Sequence, residues 1–399
     1  MDVRARSILV LGILSVAAPA AGRELRPPTR AELETAMPLL RRGTLAIIES
    51  DARGWLRQVA IASIDDAPRD LVFRTIADAA RYPEFMRTFS EIDIRQSQGR
   101  LLAYDWTWRG VLFDFRGSNM MTLTPPSRID VRTTSGDLGE GRFLVDLHEL
   151  PGGKTLTVST MFTDPRRGNW LARTLVARNP STLHGMNLSV GMVFAYGMKA
   201  RVEALAGHPP SRRGRRGGTL RGFADVDLAP MQPLLSRGEV ALVETGGGGV
   251  LRQVGLFAKV DASPDRVRGV VADPARYPDF VSNVDSCDVV ERSEERTVYD
   301  MEIDSPIFDL DGRMELSRRA DGSLRVSCTE GDLSGARWGW EFRPMGSGSA
   351  AAYFGITDMA RANIVLRRLI AKEPFFDHGL NVGAKLIMLR AIKERAEGN

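Results

Sequence analysis

A two-residue alternation of apolar and polar positions in the second half of the chain predicts antiparallel strands. Tyr299, Met301 and Ile303 alternate with acidic residues, and the period continues through 307–316, where Gly312 shares the apolar face. It recurs in two later segments, at Leu324, Val326 and Cys328 and at Trp338, Trp340 and Phe342. Because successive side chains of a strand point to opposite faces, this pattern indicates a sheet with one wet face and one covered face.

The first half shows the same alternation and adds helices at matching places. Its apolar positions are Ile129 and Val131, then Phe143, Val145 and Leu147, then Leu156, Val158 and Phe162. A helical stretch begins near Pro68 and again near Pro264, since proline suits an early helix position. Each half ends in a long segment, 181–205 and 375–397, that predicts a helix.

The two halves are copies of one sequence. The segment ADAARYPEF at 77–85 recurs as ADPARYPDF at 272–280, and HGMN at 184–187 recurs as HGLN at 378–381. A register held over this length predicts a tandem duplication in which each copy is a whole domain with its own core. We expect domain 1 at 36–205, domain 2 at 231–399, and between them an Arg/Gly/Pro-rich linker at 206–230.

Composition agrees with two soluble domains. The chain has 399 residues, 43% of them hydrophobic and 26% charged, which is long for a single core. The net charge of +4 is small, and the arginine cluster lies in the linker rather than on a predicted folded face. We therefore expect no nucleic-acid partner.

The first residues have the form of a secretory signal peptide. Arg4 and Arg6 precede a short apolar stretch, 7–16, and Ala18-Pro19-Ala20 supplies the small residues of a cleavage site. This pattern predicts a signal peptide at 1–20 and a periplasmic or extracellular protein. An uncleaved amphipathic start or a membrane anchor is the alternative interpretation.

The order of elements, with RYPEF and RYPDF after the first helix of each copy, resembles the START-like (helix-grip, SRPBCC) superfamily. Within it the chain is similar to the polyketide cyclase/dehydrase and coenzyme Q-binding families. The resemblance implies an α+β fold of two tandem helix-grip domains, each a curved antiparallel sheet wrapped around a long C-terminal helix. It also implies that the strands of Cys287 and Cys328 are not neighbours, so we expect two buried thiols rather than a disulfide.

Residues for catalysis are sparse in the sequence. It contains no histidine pair at helical spacing, no CxxC, no G-x-S-x-G and no P-loop, so we expect no metal site and no cofactor. His184 and His378 are weak catalytic candidates, because a histidine at a cavity mouth can act as a general acid or base. The competing interpretation is that each histidine bonds a nearby carbonyl where the last helix starts.

The apolar inward faces carry the stronger functional signal. A ligand pocket would be lined by aromatic, aliphatic and Met side chains with few polar groups. A filled core would use the same residues, and the resemblance favours a cavity. The predicted ligand-binding residues are Tyr104, Trp106, Trp108, Phe113, Phe115, Met186, Tyr299, Met301, Ile303, Phe308, Leu310, Trp338, Trp340 and Leu380.

We therefore expect the protein to bind, and by extension to transport, a hydrophobic small molecule such as a lipid or an isoprenoid quinone. The cavity would lie between the sheet and the C-terminal helix. Transient contact with a membrane is an alternative that the sequence leaves open, and the sequence does not indicate which proteins are partners. The alternatives are a cyclase/dehydratase-type enzyme that uses His184 or His378, and a protein-interaction module.

Overall fold

The structure is a computed structural model that describes residues 24–110, 114–177, 180–209, 217–223, 226–304 and 309–398. The predicted signal peptide lies outside the described residues. The first half has eight strands in its described part: β1 (Thr44–Ser50), β2 (Leu56–Asp65), β3 (Phe89–Gln98), β4 (Leu101–Arg109), β5 (Asp114–Thr124), β6 (Arg128–Gly136), β7 (Glu140–Leu150) and β8 (Lys154–Asp164). Its helices are α1 (Arg30–Thr35), α2 (Met37–Leu40), α3 (Arg69–Ala77), α4 (Trp170–Ala177) and α5 (Pro180–Leu205).

The second half repeats this order. Its strands are β9 (Glu239–Thr245), β10 (Leu251–Val260), β11 (Val284–Arg292), β12 (Arg296–Ile303), β13 (Leu310–Arg318), β14 (Leu324–Gly331), β15 (Arg337–Met345) and β16 (Gly348–Ile356). Its helices are α6 (Leu228–Arg237), α7 (Pro264–Val271), α8 (Met359–Ala362), α9 (Ile364–Lys372) and α10 (Phe376–Glu397).

Each half is a curved antiparallel sheet closed by its long last helix. Helix α5 packs on β2 and β8, and α10 packs on the matching strands β10 and β16. Val59 pairs with Met161 in the first half, and Val254 pairs with Gly355 in the second, which is the same register. The predicted α+β helix-grip fold in two tandem copies is therefore confirmed.

The RYP segment has the same structural role in both copies. It forms a short 3-10 helix, Ala79–Glu84 or Pro274–Asp279, after the first long helix of the half. The buried tyrosine of each segment donates a hydrogen bond to a main-chain oxygen, Tyr82 to Ile76 at 2.5 Å and Tyr277 to Val271 at 2.6 Å. These bonds hold the turn against the preceding helix, as expected of a packing motif.

The two sheets join edge to edge into one sheet. Strands β1 and β9 pair antiparallel, with Ala46 opposite Ala241 at the centre of the pairing. Both strands are covered on two faces, which explains their continuous apolar runs. Helices α1, α2 and α6 cover the outer face, together with Phe223 of the predicted linker, which is fully buried.

The long helices α5 and α10 also contact each other directly. A Cβ atom placed on Gly379 would lie 2.4 Å from Cα of Ser189, and one on Gly383 would lie 3.2 Å from Cα of Gly185. Glycine at these positions allows the two backbones to approach closely. Because of this contact, α5 of the first half faces the interior of the second half.

Cys287 lies on β11 and Cys328 on β14, with β12 and β13 between them in the sheet. Both thiols are free and buried, as predicted. The domain limits 36–205 and 231–399 remain predictions. None of the helices in the described ranges combines the length and the apolar content that crossing a bilayer requires.

Candidate functional site

A large cavity of about 870 Å³ lies between the sheet and the last helix of the second half. Strands β12 to β16 form its floor and α10 forms one wall. Helix α9 and the first half's α5 line its other sides. Pockets for drug-sized ligands span roughly 300–1,000 Å³, so this space is large enough for one such molecule.

The first half contributes more than a helix to this cavity. Trp108 and Phe115, from β4 and β5, line one end, and the Trp108 and Phe376 rings lie 6.1 Å apart. Lys372 of α9 donates a 2.6 Å hydrogen bond to the carbonyl oxygen of Arg109 and so fixes the end of β4 at this place. The site therefore requires both copies, although its floor belongs to the second.

The corresponding space in the first half is nearly filled. Its cavity measures about 90 Å³, below the usual range for ligand pockets. Phe143 and Phe194 pack against each other across it at a centroid distance of 6.2 Å. Only the second half, within the described residues, has room for a ligand of ordinary size.

Matched positions on the last helices account for part of this difference. Val190 and Phe194 of α5 correspond in the repeat to Ala384 and Met388 of α10. Ala384 lies in the middle of a 22-residue helix, lines the cavity and remains accessible. The smaller side chains of α10 leave the space that the first copy fills.

The structure brings most of the predicted binding residues to the large cavity. Those that line it are Trp108, Phe115, Met186, Tyr299, Met301, Ile303, Leu310, Trp338, Trp340 and Leu380. Tyr104 and Trp106 line the small cavity of the first half instead, whereas Phe113 and Phe308 lie outside the described residues. Ligand binding by these residues stays a prediction.

The two candidate histidines are buried and do not line the large cavity. Nε2 of His184 lies 3.0 Å from Oγ of Ser50 and 2.6 Å from a guanidinium nitrogen of Arg390. Nε2 of His378 lies 2.9 Å from the carbonyl oxygen of Gly249. This geometry favours the structural interpretation, in which each histidine ties the helix start to the β-hairpin that opens its half.

Sequence reasoning missed the role of the asparagine in the HGMN and HGLN motifs. Asn381 accepts a hydrogen bond from the amide of Thr357 at 3.0 Å and donates to its carbonyl oxygen at 3.1 Å. Asn187 makes the same pair of bonds to Thr163. In each copy this amide locks the last helix to the end of the last strand, and the repetition of Asn in both motifs was the available signal.

The aromatic floor holds three buried tyrosines that stay neutral. Burial raises the pKa of Tyr277, Tyr299 and Tyr353 above the ordinary value. Tyr353 stacks on Trp340 with the ring centroids 4.0 Å apart and the planes within 7°. The floor is therefore flat and apolar, with neutral hydroxyl groups as its polar component.

Lys385 is the second residue that sequence reasoning missed. It lies on α10, is 2% exposed and lines the cavity. Burial lowers the pKa of its amine to about 7. A lysine in the last segment is typical of an exposed helix face, but this one faces Tyr353 on β16 of its own half.

Comparison with known proteins agrees with this architecture. Residues 260–368 match the family model described as polyketide cyclase/dehydrase and lipid transport. The START-like resemblance is confirmed. The match supports hydrophobic-ligand binding or a cyclase-type function without specifying a substrate, and no curated protein sequence matches the chain.

The chain also has similar solved structures, all at low sequence identity and low TM-score. The di-domain ARO/CYC StfQ from the steffimycin biosynthetic pathway is 12% identical, with 85% of this chain and 98% of that chain covered and a TM-score of 0.31. The di-domain ARO/CYC BexL from the BE-7585A pathway is 14% identical, with 86% and 99% covered and a TM-score of 0.32. A STAR-related lipid transfer protein fragment from Xanthomonas axonopodis is 17% identical, with 40% and 93% covered and a TM-score of 0.29.

Proposed function

We propose that the protein binds one hydrophobic small molecule, such as a lipid or an isoprenoid quinone, in the cavity of its second half. The observation that carries this proposal is a pocket of about 870 Å³ lined mainly by apolar and aromatic side chains. The corresponding space of the first half is filled by side chains, so we expect one ligand per chain. The first half then serves to close the site.

The lining of the cavity supports a ligand. The lining is mainly apolar, so apolar surface of a bound ligand would leave water there, which stabilises a complex by roughly 25 cal/mol per Å². Water is a poorer occupant of such a site, because an ordered water needs two to four polar partners and the lining offers few.

The proposal extends to transport. A chain exported through its predicted signal peptide would carry a water-insoluble molecule through an aqueous compartment, with the ligand covered by α9, α10 and α5. An enzymatic function at His184 or His378 has less support, since neither side chain lines the cavity.

The experiment that tests binding combines ligand extraction with a blocked cavity. Protein purified from its native host is extracted with organic solvent, and the extract is analysed by mass spectrometry. The Ala384→Phe variant places a ring in the cavity, and Ala384→Ser at the same position is the matched control that leaves it open.

We expect a hydrophobic compound at about one molecule per chain in the wild type and in Ala384→Ser, and at least a tenfold lower amount in Ala384→Phe. Equal recovery from both variants would show that the compound binds elsewhere. Absence of any compound from wild-type protein, together with failure of added hydrophobic probes to bind, would overturn the proposal.

A further inference from the structure

Lys385 is the lysine of a cavity whose lining is mainly apolar and aromatic. It projects from the middle of α10, and its side chain both lines the space and is 2% exposed. Burying an ammonium group is costly unless a partner compensates the charge. The contacts of its Nζ atom therefore indicate what the ligand would have to supply.

The protein supplies little to this amine. Nζ donates one long hydrogen bond to Oδ1 of Asn381 at 3.4 Å, and it lies 6.0 Å from the ring centroid of Tyr353. Within the described ranges, no carboxylate oxygen lies within 4 Å of it. Oδ1 of Asn381 is already engaged, because it accepts the main-chain hydrogen bond from Thr357.

The fold does not require this lysine. The matching residue of the first half is Gly191, where an added Cβ would lie 2.5 Å from Cδ1 of Ile61 and 2.7 Å from Sδ of Met161. In the first half the side chain of Met161 on the sheet fills this position. In the second half the sheet residue is Gly355, which has no side chain, and the helix residue is Lys385. At this pair of matched positions, an amine is present only in the half that has the large cavity.

Two tyrosine hydroxyls add hydrogen-bond donors to the same lining. Tyr299 and Tyr353 both border the cavity, and the described residues offer neither hydroxyl a hydrogen bond. An ammonium and neutral hydroxyl groups form a donor set that suits an acidic oxygen group. The rest of the lining suits an apolar tail.

From this arrangement we propose that the ligand is an acidic amphiphile whose carboxylate pairs with Lys385 while its hydrophobic body occupies the aromatic remainder of the cavity. This inference rests on the proposed function, and it narrows the ligand class from any hydrophobic molecule to one with a single acidic head. The ligand would supply a direct ion pair, whereas buried Asp377 of the protein acts on the amine from a longer distance and through Asn381.

The titration of Lys385 gives the proposal a pH dependence. Burial lowers the pKa of the amine to about 7, and Asp377 on the same helix acts in the opposite direction. From the other elements, Tyr353 on β16 faces it, and this tyrosine is neutral because burial raises its pKa. Above pH 7 the free protein must take up a proton to bind a carboxylate, so acid binding weakens as the pH rises.

The test uses full-length protein stripped of co-purified ligand. Dodecanoic acid and dodecan-1-ol are matched probes that differ in the head group, and quenching of the cavity tryptophans Trp338 and Trp340 reports binding. Wild type is compared with Lys385→Met, which keeps a similar shape without the charge. Alcohol binding by the variant shows that its site is folded.

We expect the wild type to prefer the acid by about tenfold at pH 6 and to lose this preference between pH 7 and pH 9. Lys385→Met should bind the alcohol as the wild type does and show no preference at either pH. Equal binding of both probes by wild type, or an acid preference that survives in Lys385→Met, would overturn the inference and leave the proposed function standing. Failure of wild type to bind either probe would overturn both. Should the variant not fold, the pH dependence in wild type decides the matter, and a pH-independent preference would contradict the proposal.

Discussion

Matched residues of the two copies differ most where they face the interior. Met161 and Gly191 meet across the first core, and Gly355 and Lys385 take their places in the second. Such exchanges change the volume and the polarity of the space between the sheet and the last helix, while the strand register is the same in both copies. The two copies therefore differ in the side chains of their cores but share one backbone fold.

Lys385 should reduce stability in the absence of ligand. The folded pKa is about 7, against 10.5 ordinarily, so the unfolded chain binds more protons between these values. The free energy of unfolding of ligand-free wild type should thus rise with pH from 7 to about 10.5. Lys385→Met should be more stable by a few kcal/mol at pH 7 and below, with the gap closing at high pH.

Urea unfolding of the ligand-free proteins across this pH range checks the prediction. Lys393→Met, on the same helix but away from the cavity, is the matched control and should change stability little. A Lys385→Met variant that is less stable than wild type at pH 6 would show that the amine has a partner in the folded protein.

At the residue level, the sequence pattern predicted which apolar side chains are buried, but it did not predict the burial of a charged side chain. Trp338, Trp340 and Tyr299 stood out because alternation places them on the covered face of their strands. Lys385 did not, because a lysine is usually exposed and its burial against Tyr353 is visible only in the folded structure. Asn381 was visible only as part of a repeated motif, whose bonds to Thr357 follow from the folded geometry.

The crossing of α5 and α10 is the element-level feature that turns two domains into one site. The crossing depends on Gly379, where an added Cβ would lie 2.4 Å from Cα of Ser189. Main-chain atoms cannot yield as a flexible side chain can. A Cβ atom on residue 379 would therefore push α5 and α10 apart, and the cavity wall that these two helices form would open.

Gly379→Ala should therefore destabilise the protein by about 1–3 kcal/mol, although alanine favours a helix over glycine by roughly 1 kcal/mol. The control is Gly269→Ala in α7, where an added Cβ meets nothing within 4 Å, so stability should rise slightly. Urea denaturation compares the three proteins. A Gly379→Ala variant as stable as wild type would argue against close packing at this crossing.

The strands and long helices could be predicted because their periods run through many residues. Helices α1, α2 and α6 were not predicted, since α1 and α2 are short and α6 lies where the chain leaves the linker. The pairing of β1 with β9 was also missed. Continuous apolar runs at 45–48 and 240–243 indicate strands covered on both faces, but they do not specify the neighbour.

At the scale of the whole molecule, the halves meet around an approximate two-fold axis. Arg42 pairs with Glu244 at 3.1 Å, and the matching Arg237 pairs with Glu49 at 2.6 Å. An isologous contact of this kind uses the same surface on both partners. Two equivalent scaffolds are thus held in one sheet, while only one of them is hollow.

This asymmetry leads to the most direct measurement, which is site mapping with a photoactivatable hydrophobic acid that carries an alkyl diazirine. After irradiation, labelled peptides are identified by mass spectrometry, with an excess of unmodified acid as the competition control. The account predicts one label per chain that the competitor removes, located on β12 to β16, on α9, α10 or the cavity face of α5, or at Trp108 and Phe115. Competable labelling around Tyr104 and Trp106 inside the first half, or labelling at scattered surface positions alone, would contradict it.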